Sequence, residues 1–119
     1  MIAVVDDEES VRKAVVRLMQ AAGHTARGYA SGHEFLQKLL VDRPDILLLD
    51  LQMLGLSATD VQMALCQAEA HIPVLIITAH DSPIAREECM RAGAIAYLCK
   101  PLDERVLLDA VRLAIDSLH

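Results

Sequence analysis

Asp45-Ile46-Leu47-Leu48-Leu49-Asp50 reads as a strand buried on both faces. Four aliphatic residues follow one another without a polar break, Arg43-Pro44 stops the helical pattern ahead of them, and a carboxylate closes the run. Short, continuous apolar runs of this kind belong to parallel sheets covered on both sides. Three more runs have the same form. Ile2-Ala3-Val4-Val5 ends on Asp6-Asp7, Val74-Leu75-Ile76-Ile77 ends on Thr78, and Ile95-Ala96-Tyr97-Leu98-Cys99 ends on Lys100-Pro101. Parallel strands bring their carboxyl ends to one edge, where open α/β folds place their sites. Three carboxylates, a hydroxyl and an ammonium are therefore predicted to converge. Such a set suits a metal cation and a phosphoryl group.

Helical patterns separate the strands. Val11, Ala14, Val15, Leu18 and Ala22 recur at helical spacing, and Gly23 stops them. His24 to Tyr29 is the weakest strand and is predicted at an edge. Ser31-Gly32-His33-Glu34 has capping-box form ahead of Phe35, Leu36, Leu39 and Leu40. Ser57 or Thr59 opens a helix through Val61, Ala64, Leu65 and Ala68, after a loop from Leu51 to Leu56. Pro73 introduces the fourth strand. Ser82-Pro83 caps a helix that runs to Arg91 before Gly93, and the last helix starts at Leu102 or Asp103. Five βα units with short connections imply an α/β fold: a doubly wound five-stranded parallel sheet with helices on both faces. The common strand order 2-1-3-4-5 makes the first and third strands neighbours, so Asp6, Asp7 and Asp50 would lie side by side.

The bulk properties narrow the function. The chain has 119 residues, enough for one domain spanning residues 1–119. Aromatics are only 3%, so aliphatic side chains must build the core. No apolar run approaches the ~20 residues of a membrane span, and Asp6-Asp7-Glu8-Glu9 interrupts what would be a signal peptide. Cys66, Cys89 and Cys99 lack metal-type spacing and read as reduced core thiols of a cytoplasmic protein. A net charge of −6, with lysine only at positions 13, 38 and 100, argues against direct nucleic-acid binding.

Three carboxylates in one cleft repel one another unless a positive charge joins them. Mg²⁺ answers this, because it takes oxygen ligands and binds through one or two carboxylates plus phosphate. Asp6 or Asp7 together with Asp50 suits it. Lys100 and Thr78 add a point charge and a hydroxyl donor, and a carboxylate can itself accept a phosphoryl group. Glu8 and Glu9 are read as favouring the positive end of the first helix.

Asp6-Asp7, Asp50, Thr78 and Lys100-Pro101, in order and spacing, resemble the signature of response-regulator receiver domains over essentially the whole chain. Leu49-Asp50-Leu51-Gln52-Met53, Ile77-Thr78-Ala79-His80 and Arg91-Ala92-Gly93-Ala94 resemble the branch of FixJ-type transcription regulators. The resemblance implies a flavodoxin-like receiver fold and a role for each residue. Asp50 would accept the phosphoryl group from a sensor histidine kinase. Asp6, Asp7 and Asp50 would bind Mg²⁺ with the Gln52 backbone carbonyl. Thr78, Lys100 and the Ala79 amide would contact phosphoryl oxygens. The Lys100–Pro101 bond would be cis, and Tyr97 would turn inward as a switch when Thr78 moves. The output would be transcription through a DNA-binding domain outside this chain. The chain would be a signalling phosphoacceptor with slow self-dephosphorylation. One loop departs from the family: where Met-Pro-Gly-x-x-Gly is common, this chain has Met53-Leu54-Gly55-Leu56-Ser57-Ala58. His80 is placed near the mouth of the site.

Two other functions compete. A Mg²⁺-dependent phosphohydrolase with an aspartate nucleophile on the first strand would want Asp-x-Asp there, and this chain has Asp6-Asp7-Glu8. A flavodoxin-like FMN module would need a hydroxyl- and glycine-rich phosphate loop, which four acidic residues would repel. The last helix also suggests an interaction surface. Val106, Leu107, Ala110, Val111, Ala114 and Leu118 form its predicted core stripe, while Leu108, Ile115 and Leu113 widen it beyond what one sheet face needs. The excess around Leu108 and Ile115 is expected to serve a homodimer or partner. Arg105–Asp109 and Arg112–Asp116 are expected as i,i+4 pairs.

Overall fold

The computed structural model describes residues 1–118. Five strands alternate with five helices: β1 (Ile2–Val5), α1 (Glu9–Ala21), β2 (Ala26–Tyr29), α2 (Gly32–Lys38), β3 (Ile46–Asp50), α3 (Ala58–Gln67), β4 (Val74–Thr78), α4 (Pro83–Arg91), β5 (Ala96–Cys99) and α5 (Glu104–Asp116). The sheet is wholly parallel in the order β2-β1-β3-β4-β5, as the alternating pattern predicts.

Alternation along each strand sends successive side chains to opposite faces. Ile2, Val4, Ile46, Leu48, Leu75 and Ile77 pack against Val15 and Met19 of α1 and Leu107, Val111 and Ala114 of α5. Ala3, Val5, Leu47, Leu49, Val74, Ile76 and Tyr97 pack against Phe35 of α2, Val61 and Leu65 of α3, and Cys89 of α4. Two cores thus share one sheet, and every residue of β1, β3 and β4 is buried. Gly32 lets α2 approach α3: a Cβ there would stand 2.6 Å from Val61 Cγ2.

Local chemistry sets the helix ends. Ser57, not Thr59, opens α3, in a full capping box with Asp60. Ser82 caps α4 with Pro83 in its first turn, and Asp103 caps α5 by accepting from the Arg105 and Val106 amides. At α2 the Ser31 hydroxyl accepts from the Glu34 amide, but the Glu34 carboxylate reaches the Ala30 amide instead of Ser31.

Three expectations need correction. α2 ends by Lys38, so Leu40 is 95% exposed and is no core residue. There the chain turns through Val41 and Asp42 bonds to the Lys38 carbonyl, and Asp42 pairs with Arg27 at the sheet edge. Only Cys89 is a core thiol; Cys66 on α3 and Cys99 at the end of edge strand β5 are exposed. On α5 the core residues are Leu107, Val111 and Ala114, while Leu108, Ala110 and Ile115 pack at its margin. The uncovered apolar area is at Val106 and Leu113, 52% and 66% exposed, and Leu118 is exposed too. The helix is rotated slightly from the predicted stripe. Its ion pair is Arg112 with Asp109, at i,i+3 and 3.6 Å, in place of the two i,i+4 pairs.

Candidate functional site

Register brings the strand ends together. Val5 pairs with Leu49 and Asp50 pairs with Ile77, so Asp6-Asp7, Asp50 and Thr78 leave the sheet at one edge. Thr78 pairs with Cys99, and the Lys100 amide donates to the Thr78 carbonyl at 2.6 Å. The Lys100–Pro101 peptide is cis. One oxygen from each of Asp6, Asp7 and Asp50 lies within 4.8 Å of the other two. Asp6 and Asp50 are buried, and Asp7 is exposed at the mouth.

Lys100 Nζ stands 3.1 Å from Asp6 Oδ2 and 3.6 Å from Asp50 Oδ1. Burial alone would lower the lysine pKa. The hydrogen bond to Asp6 and the charges of Asp50, Asp6 and Glu8 outweigh it and hold the ammonium above its ordinary value. One ammonium does not balance three carboxylates. Asp50 is pushed up to about 6, first by burial and then by the charge of Asp6, against the pull of Lys100 and the Gln52 amide. Asp7 adds a smaller push in the same direction.

Each carboxylate is already oriented. Asp6 Oδ1 accepts from the Glu8 amide at 2.9 Å, and its Oδ2 accepts from Lys100. Asp7 Oδ2 accepts from the Leu54 amide at 3.1 Å, across 47 residues of chain. Asp50 Oδ1 receives a long contact of 3.5 Å from the Gln52 amide. Oxygen donors with excess negative charge, close together and partly open to solvent, fit a hard divalent cation such as Mg²⁺.

Thr78 is fully buried and sits at the same edge, but its hydroxyl serves its own loop. Oγ1 donates to the His80 carbonyl at 3.0 Å and accepts from the His80 amide at 3.1 Å. A hydroxyl has one proton, so donation to an anion at Asp50 requires that bond to break. Thr78 continues the Val74–Ile76 alternation toward the α3–α4 side, where Tyr97 also lies. Tyr97 is 7% exposed, its hydroxyl has no partner among the described residues, and the Arg86 guanidinium stands 5.7 Å from its ring centre. His80 is exposed.

Two supporting groups escaped the sequence reading. Arg12, one turn into α1, donates through Nη1 to the Asp6 carbonyl at 2.8 Å and so ties down the Asp6–Asp7 peptide. Its stem crosses β2 at Gly28, where a Cβ would meet Arg12 Cγ at 2.9 Å. A glycine inside a strand pattern signals such an approach. The second group is the Leu54 amide, for which the only signal is the missing proline.

A model of the response regulator receiver domain matches residues 2–112. The chain is 34% identical over 111 residues to nodulation protein W of Bradyrhizobium diazoefficiens, covering 93% of this chain and 49% of that protein. It is 32% identical over 118 residues to the transcriptional regulatory protein FixJ of Rhizobium meliloti, covering 98% and 57%. The chain thus spans about half the length of these curated relatives. Among solved structures, FixJ-N superposes with a TM-score of 0.90 at 30% identity, covering 97% of this chain and 92% of that one. The chemotaxis protein CheY4 of Vibrio cholerae superposes with 0.87 at 28%, covering 95% and 96%. With a receiver-domain model matching nearly the whole chain and solved receiver folds superposing on it, this chain belongs to the response regulator receiver domain family.

Proposed function

We propose that this chain is a phosphoacceptor module of two-component signalling, with Asp50 as the acceptor. The supporting observation is the setting of Asp50: buried among carboxylates, 3.6 Å from Lys100, at the edge where Asp6 and Asp7 converge. The donor is a phosphohistidine on a sensor histidine kinase. An Asp50 oxygen attacks phosphorus, the P–O bond forms as the P–N bond breaks, and the imidazole leaves with a proton. Asp6, Asp7 and Asp50 would hold Mg²⁺, with the Gln52 backbone carbonyl as a further donor. When bound, the cation neutralises charge on the phosphoryl oxygens, which is most of what this transfer asks of a protein. Lys100 supplies the chain's own positive charge. Thr78, freed from His80, donates to the phosphoryl group, with the Ala79 amide beside it.

Thr78 and Tyr97 lie on the α3–α4 side of the sheet. Movement of Thr78 toward the phosphoryl group changes the space against Tyr97 and so the α4–β5–α5 surface. The exposed residues Ile84, Ile95, Val106 and Leu113 offer that surface to a partner or a second copy. The donor must bring its histidine to Asp50, so its protein must cover the rim. An apolar groove of about 380 Å³ between α1 and the β5–α5 loop, lined by Val11, Ala14, Leu18, Pro101 and Leu102, adjoins that rim. The output is transcription through a DNA-binding domain outside these residues, in the cytoplasm. No helix of the described residues is long and apolar enough to cross a membrane.

Incubation with Mg²⁺ and acetyl phosphate, followed by mapping of the adduct by mass spectrometry, tests this reading. Label is expected on Asp50 and absent from Asp50→Asn. Label on Asp6, or rapid turnover of unrelated phosphoesters, would favour a phosphohydrolase instead.

A further inference from the structure

The loop after β3 breaks the family pattern at Leu54, and the break has a physical consequence. Proline has no N–H to donate. Leu54 has one, and it lies 3.1 Å from Asp7 Oδ2. The Leu54 side chain is 88% exposed, so packing does not account for the residue. Its neighbours shape the loop. Met53 packs against the α3–α4-side core, and Gly55 turns the chain at φ +85°, a region that L side chains rarely adopt. The Leu54 amide is thereby aimed at the β1–α1 corner. Asp7 needs such a partner. Asp6 is fixed by the Glu8 amide and Lys100, and Asp50 is buried, but Asp7 is exposed and otherwise free to turn toward solvent.

We propose that the Leu54 backbone N–H is a positioning donor that orients Asp7 for Mg²⁺. This rests on the metal reading given above. The bond engages Oδ2, while one Asp7 carboxylate oxygen lies within 4.8 Å of an oxygen of Asp6 and of Asp50. It supplies by a directed hydrogen bond the order that a proline supplies by restricting φ. Outer partners of ligating groups typically change metal affinity by about 10–100-fold when removed.

Restoring the family's proline at position 54 is therefore expected to weaken metal binding. Mg²⁺ affinity is measured by calorimetric titration on the wild type, Leu54→Ala, Leu54→Pro and a backbone ester at position 54. The ester removes the N–H but keeps the loop's φ freedom, so it controls for distortion by proline. Leu54→Ala is expected within about twofold of wild type, and Leu54→Pro and the ester about tenfold weaker. Equal or tighter binding by the ester overturns the proposal. A metal-free readout runs alongside. Amide exchange at Leu54 is expected to be slow in the wild type and fast in Asp7→Ala, and an equally fast rate in both also overturns it. A wild type that binds no Mg²⁺ while Leu54 stays protected overturns the metal role of both residues. That outcome is distinct from unaltered binding in the variants, which removes only the role of Leu54.

Discussion

The two halves of the sheet are built differently. In β1 and β3, which carry the acidic site, every residue is buried, and the Asp6 and Asp7 carboxylates that follow β1 are each held by a named donor. In the β4–β5 half, β4 is as buried as β1 and β3, but β5 is an edge strand that is only partly buried, and α4 buries a single residue, Cys89. Ile84 and Met90 of α4 and Ile95 before β5 are exposed, and the buried Tyr97 hydroxyl has no partner among the described residues, a deficit that Tyr29 of β2 shares. The first half holds charge in fixed geometry. The second is thinly packed, and elements with few buried apolar contacts open at lower free energy. The proposed phosphoacceptor role, with charge received in one place and shape changed in another, would be served by this division.

The contrast is broken most directly in the cores. Leu48→Ala, at a fully buried β3 position, is expected to cost about 2–5 kcal/mol. Ile84→Ala on α4 should stay within about 0.5 kcal/mol, because its side chain is 71% exposed. Denaturant unfolding of the two variants checks both, and similar losses would erase the distinction between the halves.

A smaller effect has the opposite sign. Asp50 sits at about 6 in the folded chain against an ordinary 3.8, so the folded state holds this proton more tightly than the unfolded state. Stability contributed here therefore falls as pH rises from 3.8 toward 6 and stays lowered above that. Asp50→Asn should then stabilise the metal-free protein by roughly 1–3 kcal/mol at pH 7. The gain should vanish below pH 3.8, where Asp50 is protonated in both states. Thermal unfolding across pH measures it. Saturating Mg²⁺ should reverse the order, because a ligand of the folded state stabilises the wild type more.

The smallest effect is at Tyr97. Its hydroxyl is buried without a hydrogen bond, so Tyr97→Phe should be neutral or stabilising by up to ~1 kcal/mol. A clear loss of stability in that variant would show that the hydroxyl has a partner and that this half is better ordered than described.

Much of this was legible in the sequence. Strands β1, β3 and β4 are continuous aliphatic runs, and runs buried on both faces leave little ambiguity. Their polar terminators share one edge as expected, since parallel strands fix which ends meet. The helix cap at Ser82 followed from side-chain chemistry, while Ser57 and Asp103 were each one of two candidates that the structure decides. What failed depends on tertiary rotation and on backbone. The apolar set of α5 is wide enough to fit several orientations, so Val106 read as core and is 52% exposed. Leu40 extended a helical pattern that the turn at Lys38 to Asp42 cuts short. The Leu54 amide belongs to the main chain, which every non-proline residue shares, so only the departure from a family pattern pointed to it. Thr78 was placed at the correct edge, but the engagement of its hydroxyl with His80 lies in a rotamer that no sequence pattern encodes.

Under the proposed function, charge arrives at the β1–β3 half and shape changes in the β4–β5 half. Amide hydrogen exchange on the chain before and after modification by acetyl phosphate and Mg²⁺ tests it most directly. Altered protection is expected to concentrate in α4 and β5, residues 83–99, with β1 and the interior of β3 unchanged. Complete modification of Asp50 with no change in α4 and β5, or a change spread evenly through the sheet, would contradict it.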